Sequence, residues 1–373
     1  VSTSDELTRA YLESLPIEKG TPFLFRGLAT EADGRAIYDA FFDLIPEVTR
    51  LDDVDDSDSG SLPEGVPPVA DETSSDAHEQ VENPFLLQHV RHVVFTDDMP
   101  GTARHWQREL GSPETGATAD EDGAAFGKVF HWMDATGRWH GIATFHVSVG
   151  YGLLNKDPVA LTLMTHELTH LRFCAELHDK LGQEPRGDGW PDLRRFFVWG
   201  CLDEAIAEAH ARAYMTEEFR TDQDGYLVTL ARKGLHATRE AVAEYRHHGD
   251  VGRVWNETVT AIAPYLTHLG RIVGCYNDTE LPEVLRTSLD VVRPGLAIQA
   301  VRMLDALKPI FSGAQPMGWA ALGDALLAVD LAFDAVGVVP YMEGSAFGID
   351  VPDWPGDRER FYREWAFGRK KRE

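Results

Sequence analysis

The stretch from Asp157 to Cys174 constrains the chain most, because it reads as one helix that must bury an apolar stripe and carry His166, Glu167 and His170. Asp157 suits an N-cap, and Pro158 suits the first helical position, where its missing N–H costs nothing. Leu161, Met164, Leu168, Leu171 and Cys174 or Ala175 recur at three- and four-residue steps, which predicts one buried face. His166 and His170 fall about one turn apart on a single face, close enough to share a tetrahedral ion. Glu167 projects beside them, where a carboxylate can take a proton from water on that ion.

A second helix is expected further on. Leu193, Phe196, Phe197, Leu202, Ala205, Ile206 and Ala209 supply its apolar face, and Glu204 and Glu208 lie four apart beside it. A carboxylate next to an apolar face needs a partner, because an unpaired buried charge is costly. A metal and its ligand histidine would provide one; solvent or Arg212 is the plain alternative.

His166-Glu-Leu-Thr-His170 resembles the active-site helix of the zincin metallopeptidases, and Leu202-Asp-Glu-Ala-Ile-Ala-Glu-Ala-His-Ala-Arg212 resembles the second helix of their gluzincin branch. The resemblance covers residues 138 to 212. It implies one Zn²⁺ per chain held by His166, His170 and Glu204, with Glu208 supporting a ligand histidine or taking Glu204's place. Glu167 becomes the catalytic base. The resemblance also implies a Tyr or His from a later helix as oxyanion donor; Tyr265 and His268 are the candidates, with Tyr245, His247, His248 and Tyr276 as rivals. In such enzymes the strand just before the helix lies at the sheet edge and pairs with extended substrate. That assigns Ile142 to Val149 as a substrate rail, with Phe145, His146 and Val147 as contacts. The function implied is a metallopeptidase that cleaves peptide or protein amides by Glu-assisted attack of zinc-bound water.

The surrounding sequence predicts an α+β fold, a small antiparallel sheet and active-site helix followed by a mostly helical half. Residues 1–50 read as an N-terminal helical segment, with one helix capped by Thr3 or Ser4 and a second by Thr30 or Asp33. Residues 51–83 shift to Asp, Glu, Ser, Pro and Gly and read as an acidic disordered linker. Residues 84–182 carry strands at Val90 to Thr96, Phe126 to Met133 and Trp139 to Val149, then the active-site helix. Residues 183–373 read as helices at 226–247, 252–275, 281–307 and 319–336, ending in the basic tail Arg369-Lys-Lys-Arg372. His131, His140 and His146 on the strands invite a second-metal reading; structural roles are the commoner fate of such residues.

A formal net charge of −26 argues against nucleic acid or an anionic membrane as partner. With no leader pattern and no long apolar run, a cytoplasmic location is expected. Cys174, Cys201 and Cys275 are widely spaced and read as small buried hydrophobes. Two other functions compete with the peptidase. Glu167-Leu-Thr-His170 with Glu244-Tyr-Arg-His247 resembles part of a ferritin-like di-iron carboxylate oxidase, but leaves His166 without a role. A non-catalytic binding protein on a zincin frame would have no need of Glu167.

Overall fold

The structure is a computed structural model that describes residues 23–50, 90–110, 119–120, 123–124, 126–182, 185, 189–344 and 346–351. The expected helix through Tyr11 and Leu15, the acidic segment 51–83 and the basic tail lie outside these residues. The chain divides into two compact units, Val1–Cys174 and Ala175–Glu373, and is mixed α+β.

The first unit contains β1 (Phe23–Phe25), α1 (Glu31–Arg50), β2 (Val90–Thr96), α2 (Met99–Glu109), the short pair β3 (Ala119–Asp120) and β4 (Gly123–Ala124), β5 (Gly127–Met133), β6 (Trp139–His146), α3 (Val147–Leu154) and the start of α4 (Pro158–Leu181). Thr30 caps α1: its hydroxyl accepts from Asp33 N at 3.2 Å while Asp33 Oδ2 accepts from Thr30 N at 2.9 Å, a reciprocal capping box.

The four-stranded sheet has the order β1-β2-β6-β5. The pairs β1–β2 and β2–β6 are parallel and β5–β6 is antiparallel, so the sheet is mixed and not antiparallel as expected. The residues that make the difference are far apart in the chain. The hairpin turn at Asp134–Gly137 makes β5–β6 antiparallel, whereas β1 and β2 meet their partners through crossovers. Moreover, β6 is an interior strand, paired on both sides, and among the described residues β1 and β5 are the two edges.

One sheet face packs on helices through Phe25, Phe95 and Phe145, with stacked Phe25 and Phe95 rings 5.5 Å apart. Gly150 of α3 sits there against Ile37 and Phe95, and Gly141 of β6 lets Leu171 of α4 approach so closely that a Cβ would fall 2.1 Å from its Cδ2. On the opposite face Leu24, Val94, Phe130 and Ile142 pack with Ala103 of α2, flanked by Trp106, Leu110 and Trp132.

The second unit contains the rest of α4, α5 (Trp190–Ala211), α6 (Glu217–His248), α7 (Val251–Cys275), α8 (Glu283–Val292), α9 (Leu296–Phe311), α10 (Gly323–Val336) and a hairpin of β7 (Val339–Glu343) and β8 (Ala346–Asp350) that the sequence reading did not anticipate. Thr216 and Asp250 cap α6 and α7 with their side chains, and Gly249 closes α6 in the left-handed conformation. Between α5 and α7 the packing rests on glycine. A Cβ on Gly270 would lie 2.3 Å from the Cys201 carbonyl oxygen, and one on Gly274 would lie 2.4 Å from that of Ala205. Cys174, Cys201 and Cys275 are buried, as expected. Among the described residues no helix is long and apolar enough to cross a membrane.

Candidate metal centre

Helix α4 begins as its sequence predicts: Asp157 Oδ1 accepts from Val159 N at 3.1 Å, and its carbonyl starts the helical ladder at Leu161 N. The burial is broader than a single stripe. Met164 through Thr169 are all buried, so the centre of the helix is enclosed on every side and Leu161, expected inside, is only half-buried. This enclosure leaves His166 2% and Glu167 8% exposed.

The two histidines face each other. Their rings stand at 85° with centroids 4.7 Å apart, and the Nε2 atoms approach to 3.1 Å. Two nitrogens bound to one tetrahedral zinc at 2.0–2.1 Å would be about 3.3 Å apart, so the pair already has nearly the right bite. In the second unit, Glu204 is held by Arg271, whose Nε donates to Oε2 at 2.8 Å, a charge-assisted bond that fixes the carboxylate's rotamer. One ligand atom from each of His166, His170 and Glu204 lies within 4.8 Å of the others, and this group could hold a metal ion. The donor set, two imidazoles and a carboxylate, suits a divalent transition metal or zinc.

Glu208, one turn on, is 2% exposed. Its Oε1 accepts from Cys275 Sγ at 3.8 Å, and burial, with Glu208 next in weight, pushes the Cys275 thiol well up.

Glu167 lies against the sheet's edge strand. A Cβ on Gly127 would fall 2.7 Å from Glu167 Cγ, so glycine is what gives this side chain its room. Burial lowers the pKa of the neighbouring Lys128, and the Glu167 carboxylate opposes that shift. The sequence reading missed Gly127, Lys128 and Arg271. A glycine opening a strand was the only available hint of the first; Arg271 stands 67 residues from Glu204 and carried none.

The expected substrate rail is corrected. Strand β6 has no free edge, Phe145 is fully buried in the sheet core, and Val147 begins α3. His146 ends the strand by capping that helix, its Nδ1 accepting from Ser148 N at 3.3 Å. The second-metal histidines are occupied separately: His140 bonds Arg91 and Asp134, and His131 packs on Trp139.

The oxyanion candidates have core roles. The Tyr265 hydroxyl donates to Gln299 Oε1 at 2.7 Å in a fully buried site, and burial pushes its pKa far up. His268 pairs with the Gln223 carbonyl at 3.0 Å, and burial, then the Arg271 charge, pushes it down to about 4, so it is neutral near pH 7. Among the rivals, Tyr276 donates to Asp224 Oδ2 at 2.9 Å; burial pushes that carboxyl up to about 6. His248 accepts from Asp250 N at the exposed end of α6, next to exposed His247.

Comparison with family models, with curated proteins and with solved structures finds no match to this chain.

Proposed function

We propose that the chain is a zincin-like metallohydrolase, with zinc held by His166, His170 and Glu204, that cleaves peptide or protein amide bonds. The observation that carries this reading is the approach of three ligand atoms, with the two Nε2 atoms at 3.1 Å, on a helix that also buries a carboxylate beside the first histidine. Two histidines and one carboxylate also suit iron in oxygen chemistry. The placement of Glu167 favours hydrolysis, because a proton acceptor next to a metal has a task there.

Bound Zn²⁺ supplies Lewis acidity, which brings the pKa of water down to about 7 and polarises a carbonyl. Glu167 takes the proton from the attacking water and returns it to the leaving nitrogen. Arg271 keeps Glu204 oriented. Gly127 opens the edge strand beside Glu167, and the outer edge of β5 offers main-chain groups to an extended peptide.

The di-iron alternative loses its second half. Glu244 is paired with Arg253 and His247 is exposed, so that pair is committed to the surface. Chelation of the purified protein should abolish peptide hydrolysis, and added zinc should restore it. Hydrolysis that survives complete metal removal would sink the proposal.

A further inference from the structure

The sheet face opposite α4 carries a second polar arrangement that the hydrolase reading does not use. It starts at an irregularity in β2: the pairing with β6 skips a residue between Val90 and His92, so Arg91 is bulged. A bulge re-aims a side chain, and here Arg91 reaches His140, its Nε donating to Nδ1 at 3.2 Å. With Nδ1 accepting from Arg91, Nε2–H is the donor to Asp134 Oδ2 at 2.7 Å, and the longer approach of Arg91 Nη2 to Nε2, 3.5 Å, is a contact beside that bond. His140 is 3% exposed and has both nitrogens committed, so only its ring face remains for a ligand. Asp134 is likewise saturated, accepting at Oδ1 from Thr136 N, Thr136 Oγ1 and Arg138 N.

A cavity of about 320 Å³ opens on this arrangement, lined by Trp106, Trp132, His92, His140, Ile142 and the exposed residue Glu109. His92 stacks on Trp106 with centroids 5.2 Å apart, and Trp132 lies 5.5 Å from His140. The Arg91 and Asp134 charges offset one another through the histidine. Glu109 makes no ion pair among the described residues, so the cavity holds two indoles and one uncompensated negative charge.

We propose that this cavity binds a methylated ammonium group. Aromatic faces attract a cation, and Glu109 supplies its counter-charge. Methylation is the discriminating feature. A primary ammonium would bring three N–H donors beside His140 and Asp134, whose nitrogens and oxygens are already engaged with one another, Arg91, Thr136 and Arg138, and desolvating donors left unpaired is costly. A quaternary head has no N–H to satisfy.

Calorimetric titration of the full chain with choline, with its uncharged isostere 3,3-dimethyl-1-butanol, and with trimethyl-lysine amide tests the assignment. Choline is expected to bind at least about tenfold more tightly than the alcohol, and Glu109→Gln and Trp132→Ala each to weaken it by about tenfold. Trp132→Phe, which keeps an aromatic face, should retain most of the binding and stands in if the alanine variant does not fold. Tighter binding of trimethyl-lysine than of choline would place the head on a peptide; equal binding would favour a free small cation. No heat with millimolar choline, equal affinity for the alcohol, or full binding by Glu109→Gln would overturn the proposal.

Discussion

Glu167→Gln is expected to lower kcat for peptide hydrolysis by about 10²- to 10⁴-fold, the usual worth of a positioned general base, while leaving metal content and fold intact. Glutamine keeps the shape of a side chain that lies in the enclosed centre of α4 against Gly127, so packing changes little. What it removes is the ability to accept a proton. Steady-state kinetics beside metal analysis of the same preparation reads both quantities. Turnover that survives in the glutamine variant would remove Glu167 from the chemistry, and a partner bound equally well by both forms, with no turnover in either, would favour the binding-protein alternative.

Gly270→Ala and Gly274→Ala should each destabilise the second unit by about 1–3 kcal/mol, the range for overpacking a close contact. The added methyl groups would meet backbone carbonyl oxygens of α5 at 2.3 and 2.4 Å, and backbone cannot swing aside as a side-chain tip can. The same methyls would press on Glu204 Cβ at 2.9 Å and Glu208 Cβ at 2.7 Å, so metal affinity should fall with stability. Gly225→Ala in α6 is the control. Nothing lies within 4 Å of its Cβ position, and alanine there should be neutral or stabilising by up to about 1 kcal/mol through helix propensity. Urea unfolding of the three variants reads the difference; equal midpoints for all three would mean that α5 and α7 do not pack as described.

The parts of this structure that sequence could reveal are those governed by neighbours along the chain. Asp157 and Pro158 announce the start of α4, Thr30 and Asp33 that of α1, and the four-residue spacing of His166 and His170 places both imidazoles on one turn. Glu204 and Glu208 were both legible by the same logic, as acids beside an apolar face, and the gluzincin resemblance is what singles out Glu204 as the ligand. Sheet order was not legible, because which strand joins β2 is decided by residues tens of positions apart. The continuing alternation Phe145-His146-Val147-Ser148-Val149 suggested more strand, yet the chain turns helical at Val147. Histidine is an uncommon N-cap, so His146 gave no stop signal. The misread boundary extended the expected rail to Val149, while its place at the edge came from the zincin resemblance, which the sheet order overturns. In the sequence Tyr265 and His268 stand out only by residue type and spacing, as the kind of later-helix donor the gluzincin resemblance implies. Their hydrogen bonds to Gln299 and Gln223 come from other helices and show them serving the core.

The most direct test of the central reading is elemental analysis of protein purified without added metal, run beside His166→Ala. One zinc per chain, lost in the variant, is the predicted result. Two irons per chain that remain without His166, or no bound metal after the purified protein is equilibrated with zinc, would contradict it.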